Sequence, residues 1–284
     1  MSDKASRMAV IGAGTMGHGI AQVAALSGLR VTMCDVSKPV LDLARRKIGT
    51  SLEEAISRGK ATPEDRDGAL ERLVFTTDIE ACASDADVIV EAVPEQLDLK
   101  RRVFSLVSAT APPTALIATN TSSLSVDELS KTVDRPEQFL GLHFFNPVPK
   151  MKLLEVVRGQ LTSEQTVERA LALGRRLGKV PIVVRNAPGF ASSRLGIALG
   201  LEAIRMVEQE VASPADIDTA MELGYRHPMG PLRLTDLVGL DVRLAIAEGL
   251  HEKLGEVFRP PELLRKLVAE GKLGRKSGEG FYSY

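Results

Sequence analysis

Met8-Ala9-Val10-Ile11-Gly12-Ala13-Gly14-Thr15-Met16-Gly17 reads as a buried strand, a turn spaced Gly-x-Gly-x-x-Gly and the start of a helix. Each glycine has its own mechanical reason. Gly12 permits the tight turn, Gly14 leaves no Cβ between the backbone and a pyrophosphate, and Gly17 lets the helix pack close to the strand. Thr15 and Met16 complete the turn, behind which the helix N-terminus presents unpaired N–H groups and a partial positive charge. About 20 residues on, Asp35 ends a second apolar run, where a carboxylate accepts hydrogen bonds from both adenosine ribose hydroxyls. That favours NAD over NADP, because a 2′-phosphate would meet the Asp35 charge and no Arg stands immediately beside it; Lys38 is a weak counter-signal. FAD proteins share this fingerprint, so hydride transfer has to be argued from other residues.

Outward from this loop, short apolar runs alternate with longer amphipathic stretches as far as Val184, the pattern of repeated βαβ units. The spacing predicts strands over 8–11, 30–34, 73–76, 88–93, 116–118, 139–144, 153–157 and 180–184. Helices are predicted near 15–27, 38–59, 96–108 and 163–178. Beyond Pro188-Gly189 the β-branched runs disappear, and helices are predicted over 189–211, 214–223, 231–251 and 261–270. The expected fold is an α/β Rossmann-type, doubly wound, mostly parallel sheet in residues 1–188, followed by an all-α C-terminal domain in residues 189–284.

The 44% hydrophobic and 26% charged composition is that of a globular protein, and the net charge of -1 provides no broad field for nucleic acid or an anionic membrane. The longest apolar runs, such as Leu195 to Leu201, fall far short of the roughly 20 residues of a membrane span. Two cysteines, Cys34 and Cys82, and a polar start over Met1 to Arg7 point to a cytoplasmic protein without a disulfide framework or a metal site.

Three segments place polar chemistry beside strand ends, where a doubly wound sheet binds ligands: Asn120-Thr121-Ser122-Ser123, His143-Phe144-Phe145-Asn146-Pro147 and Leu153-Leu154-Glu155. Oxidising an alcohol with NAD requires a base for the hydroxyl proton, and an imidazole titrates in the right range. His143 is the candidate base, Glu155 the carboxylate that orients it, and Ser122 the group that holds the reacting oxygen. The same residues have bland readings: His143 as a core or surface histidine, Glu155 as the solvent-facing position of an edge strand, and 120–123 as a turn and helix cap.

Seven segments in order resemble the 3-hydroxyacyl-CoA dehydrogenase family, and within it the short 3-hydroxybutyryl-CoA dehydrogenases. They are VIGAGTMGHGIAQ, EAVPEQLDLK, ATNTSSLSV, GLHFFNPVPKMKLLEVV, APGFASSRL, HPMGPLRLTDLVGLD and GRKSGEGFYSY. The resemblance implies a catalytic His and Glu at His143 and Glu155, and a substrate-oriented Ser at Ser122. It also implies cofactor contacts at Glu95, Lys100, Asn120 and Asn146, besides the glycine loop and Asp35; the bland reading of Glu95 and Lys100 is a solvated pair at a helix start. Many members carry Asn where this chain has Ser193, a shorter side chain without the amide donors, so altered substrate positioning is expected there.

The anionic nucleotide end of a CoA thioester calls for local basic groups, which Arg45-Arg46-Lys47 to Arg58-Gly59-Lys60 supply; the resemblance puts Ser51 and Arg58 beside the CoA. A solvated helix face is the bland alternative. The resemblance further implies a homodimer formed through the helical domain, and reversible NAD-dependent oxidation of an (S)-3-hydroxyacyl-CoA. Two other functions fit the scaffold: a dehydrogenase of a hydroxyacid or sugar acid without CoA, and a non-catalytic nucleotide-binding protein.

Overall fold

In the computed structural model, which describes residues 6–284, eight strands form one sheet: β1 (Arg7–Ile11), β2 (Arg30–Cys34), β3 (Leu73–Thr76), β4 (Val88–Glu91), β5 (Leu116–Thr119), β6 (Phe139–Phe144), β7 (Leu153–Arg158) and β8 (Val180–Arg185). The order is β3-β2-β1-β4-β5-β6-β7-β8, with every pair parallel except β6 and β7. The polar leader Met1–Ala5 lies outside the described residues. Around the sheet lie helices α1 (Gly17–Leu26), α2 (Lys38–Ser57), α3 (Pro63–Glu71), α4 (Ile79–Ala83), α5 (Leu97–Thr110), α6 (Val126–Ser130) and α7 (Glu164–Arg176).

The central strands β4, β5 and β6 are buried along their whole length, so they read as continuous apolar runs, as parallel sheets covered on both faces do. Strand order reverses between β1 and β4, which makes the carboxyl ends of these two strands the crevice where such sheets take ligands. β4 stops at Glu91, two residues short of the expected end. The reason is local: the Val93 N–H donates to the Glu91 side chain at 2.7 Å rather than to a ladder partner.

Three short helices escape the periodicity because five to nine residues carry too little of it, but each has a side-chain cap. Thr62 and Asp65 form a capping box at α3, Asp78 accepts from the Glu80 and Ala81 N–H groups at α4, and Ser125 accepts from Glu128 N–H at α6.

The chain divides into two compact units, the first ending at Ala187 and the second spanning Pro188–Tyr284. The second is all helical: α8 (Ser192–Glu208), α9 (Pro214–Gly224), α10 (Pro231–Val238), α11 (Leu240–Leu254) and α12 (Glu262–Ala269). The single helix expected over 231–251 is two, divided at Gly239, whose φ of 106° leaves the helical region. The C-terminal segment docks on this unit: the Phe281 and Tyr282 N–H groups each donate to Asp236 at 2.9 Å, and the Tyr282 hydroxyl donates to Asp218 at 2.7 Å.

Candidate active site

The glycine loop has the geometry its spacing requires. Gly12 has φ 101°, and a Cβ on it would stand 2.6 Å from the Ala92 carbonyl oxygen; one on Gly17 would stand 1.8 Å from that of Gly12. A Cβ on Gly14 would meet no protein atom within 4 Å, so the missing side chain leaves open space beside the loop. α1 begins at Gly17 with no side-chain cap and no acidic residue in its first turn, so nothing of the helix's own competes with an anion. Asp35 Oδ2 accepts from Ala13 N–H at 2.9 Å and Oδ1 from Ser37 N–H at 3.0 Å, tying the carboxylate to the loop. Open space at Gly14, an uncapped helix end and an anchored carboxylate fit a dinucleotide.

β6 and β7 run antiparallel in a register that sets His143 directly opposite Glu155. Side chains opposite each other on one face of such a pair are within reach. His143 Nδ1 lies 2.7 Å from Glu155 Oε2, with Glu155 0% and His143 7% exposed. A carboxylate has no hydrogen to give, so the ring supplies it from Nδ1, and Nε2 is the basic nitrogen. Glu155 is therefore not on an outer face: β7 has β8 beyond it, and its carboxylate is buried. The Phe145 ring sits 4.5 Å from the imidazole, centroid to centroid. Asn120, at the end of β5, accepts from Phe144 N–H at 2.9 Å, so its carbonyl holds the strand that carries His143.

Glu95 and Lys100 come together, though not as a solvated pair. The Lys100 side chain is 1% exposed, and its ammonium donates to Glu91 Oε1 at 2.6 Å and to the Val93 carbonyl at 3.4 Å, and lies 3.2 Å from Glu95 Oε2. Its three donors are thus all engaged inside the protein. Glu91, 0% exposed, also accepts from Thr119 Oγ1 at 2.8 Å. Glu95 Oε1 gathers the next loop, accepting from Thr121 Oγ1 at 2.5 Å, Ser122 N–H at 2.9 Å and Ser123 N–H at 3.2 Å. Burial pushes the Glu91 carboxyl above the usual carboxylate range, against the pull of Lys100. Burial resists ionisation of Glu95 too, but Lys100, Thr121 and the Ser122 N–H outweigh it, so its pKa lies below that range. Glu91 was missed by the sequence reading; its one signal is a carboxylate within the apolar run 88–93.

Between α1, α2 and the segment after β6 lies a groove of about 430 Å³, lined among others by Gln22, Arg46, Lys47, Ser51, Asn146 and Lys150. Ser51 accepts from Gln22 Nε2 at 3.0 Å, which leaves the serine hydrogen available to a ligand acceptor. Lys179 fastens the far wall, its ammonium donating to the Val148 carbonyl and, at 2.8 Å, to that of Met151. Arg58 is not among the lining residues; it stands 3.7 Å from Glu54 on the exposed end of α2.

The NAD binding domain of the 3-hydroxyacyl-CoA dehydrogenase family matches residues 7–187, and the C-terminal domain of the same family matches residues 189–284. The chain belongs to the 3-hydroxyacyl-CoA dehydrogenase family. A probable 3-hydroxybutyryl-CoA dehydrogenase of Deinococcus radiodurans is 46% identical over 279 residues, covering 98% of this chain and 100% of its own. The mitochondrial hydroxyacyl-coenzyme A dehydrogenase of Homo sapiens is 41% identical over 282 residues, covering 97% and 90%. The crystal structure of (S)-3-hydroxybutyryl-CoA dehydrogenase from Ralstonia eutropha matches with a TM-score of 0.95 at 40% identity, over 99% of each chain.

In this 3-hydroxyacyl-CoA dehydrogenase chain, Ser193 lies in the first turn of α8, half-buried, in the second unit. The other candidates all belong to the first unit, around the carboxyl ends of β1, β2, β4, β5 and β6, on β7 or along α2. Gln22 and Lys150 are groove residues that the sequence reading did not single out. Gln22 lies among apolar positions of α1, and its polarity within that buried face was the available signal.

Proposed function

We propose that this chain is an NAD-dependent dehydrogenase interconverting (S)-3-hydroxyacyl-CoA and 3-oxoacyl-CoA thioesters, short ones such as 3-hydroxybutyryl-CoA first. The observation that carries the reading is the buried His143–Glu155 pair, 2.7 Å apart. Nε2 of His143 takes the proton of the 3-hydroxyl as the C3–H bond breaks. The Glu155 carboxylate keeps the ring in the required tautomer and stabilises the imidazolium that forms. Ser122, whose backbone is held by Glu95, orients the reacting oxygen. NAD, when bound, supplies the acceptor for the hydride leaving C3. The glycine loop and Asp35 hold its pyrophosphate and adenosine ribose, with Glu95 and Asn146 beside them, while Lys100 acts through Glu95.

The basic groove with Arg46, Lys47, Ser51 and Lys150 takes the CoA arm, so Ser51 belongs to it and Arg58 only borders it. Self-association through the second unit is supported by its outward apolar side chains, among them Leu195, Leu223, Tyr225 and Leu237. No helix of the described residues is long and apolar enough to cross a membrane. Two cysteines, too few for a disulfide framework, support a reducing, cytoplasmic setting.

The test is NADH absorbance with acetoacetyl-CoA against acetoacetate. Turnover of the thioester alone is expected; equal turnover of the free acid would transfer the chain to the hydroxyacid reading, and no turnover of either would leave a nucleotide-binding protein. Asp35→Ala is expected to raise the KM for NADH by roughly 10- to 100-fold, the worth of hydrogen bonds to a charged acceptor, with a smaller effect on NADPH. An unchanged KM for NADH would remove Asp35 from the ribose site.

A further inference from the structure

Lys179, the residue just before β8, is only 8% exposed, and among the described residues no acid pairs with it. Burial, with no such partner to offset it, draws its pKa below the ordinary lysine range. What the ammonium has instead is two backbone carbonyls of the stretch between β6 and β7, those of Val148 and Met151, the second at 2.8 Å. The lysine backbone is itself fixed. Its N–H donates to the Gly174 carbonyl at 3.0 Å, and that of Val180 to the Lys152 carbonyl at 2.7 Å. On the other side of the same stretch lies α1. A Cβ built on Gly19 would stand 2.9 Å from Val148 Cβ and 3.5 Å from Pro149 Cδ, so any side chain there would displace the stretch. Val148, 2% exposed, is thus held between a lysine and a glycine. Pro147 and Pro149 have no N–H to give, and the turn closes through the Lys150 and Met151 N–H groups on the Pro147 carbonyl, at 2.9 and 3.0 Å.

Burying an ammonium is costly, and methionine would fill the same space without that cost. The two carbonyls explain the lysine: a stretch broken by two prolines cannot enter a ladder, and its buried oxygens need a donor from outside it. The stretch so held is one wall of the basic groove, to which Asn146, Val148, Pro149 and Lys150 contribute, as does Gly19. We propose that Lys179 and Gly19 are positioning residues for the CoA arm: the lysine draws the wall in from one side, and the glycine lets it seat against α1 from the other. Lys150 is thereby held at the groove, and Lys179, which does not line the groove, acts only through the wall. A shift of about 1 Å would leave the wall its chemistry and take away its fit to an anionic ligand. The assignment to the CoA arm rests on the function proposed above; the clamp itself rests on the two carbonyls and the close approach at Gly19.

The experiment compares kcat/KM for acetoacetyl-CoA with that for acetoacetyl-N-acetylcysteamine, which carries the same acyl group without the nucleotide arm. Both are measured at saturating NADH, so effects on the cofactor cancel in the ratio. The native enzyme is expected to prefer the CoA thioester, and Lys179→Met to lower that preference by about 10-fold, the worth of one charge-assisted contact. Lys179→Arg, which keeps donors for the carbonyls, should hold part of it. Gly19→Ala, a change that favours a helix in itself, should lower it too, because the added methyl pushes Val148 from the opposite side. Independently, CoA should raise the melting temperature of the native protein by more than that of Lys179→Met or Gly19→Ala. Variants that melt lower but keep the native ratio and the native CoA shift would make both residues structural and overturn the proposal. A native enzyme that turns over both thioesters equally well, with no CoA shift, takes the arm out of the groove and the role of the clamp with it. If neither thioester turns over in the native protein, the dehydrogenase reading fails, while a CoA shift lost in both variants still reports the positioned wall.

Discussion

His143→Ala should lower kcat by on the order of 10³-fold while leaving NADH binding close to native, because the base acts on the substrate proton and not on the dinucleotide. Glu155→Gln should lose on the order of 10²-fold or more. The amide keeps the shape opposite His143 but carries no charge to stabilise an imidazolium, and its NH₂ competes for the ring nitrogen that must donate. The two changes together should cost little more than His143→Ala alone, since the carboxylate acts only through the ring. Binding is measurable by NADH fluorescence in a chain that has no tryptophan. Native turnover in His143→Ala would end its assignment as the base, and additive losses in the double variant would end that of Glu155 as its orienter.

Lys100→Met is the change with the largest expected cost to stability. It strands the buried carboxylate of Glu91, at 0% exposure, and takes the cation from the partly exposed Glu95 beside it, leaving a side chain of similar length. Removing one member of a buried ion pair costs about 3–5 kcal/mol, and at roughly 2–4 °C per kcal/mol for a domain of this size the melting temperature should fall by roughly 10 °C. Glu91→Gln in the same background should restore part of that loss, because the stranded charge goes with it. Activity should not return with stability. Without Lys100, Glu95 loses the cation that holds it against the Thr121–Ser123 loop, so the KM for NADH and kcat should both stay impaired in the double variant. A Lys100→Met protein that melts as the native one does would show that the buried network carries no net stabilisation.

Much of the first unit was legible because its signals are local. The glycine loop and Asp35 at the end of β2 follow from backbone geometry within a few residues, and the structure has them where their spacing requires. The helix break at Gly239 was not legible, because the apolar periodicity of 231–251 runs through a glycine that only its φ of 106° marks as a boundary. Short helices such as α4 and α6 were invisible for a similar reason: five residues contain little more than one turn of pattern.

By itself the sequence determined that a parallel α/β unit with a phosphate-binding turn precedes a helical one, since period, glycine spacing and strand-end carboxylate are properties of neighbouring residues. Only the tertiary structure decided what the polar residues between them do. The antiparallel register of β6 and β7 set His143 against Glu155, and the approach of α5 to β4 gave Lys100 a buried partner nine residues before it, Glu91. The seating of the 147–151 stretch on α1 gave Lys179 two carbonyls to hold. A charge acquires its role from what lies within about 4 Å of it, and that is fixed by packing between elements, which no one-dimensional spacing encodes.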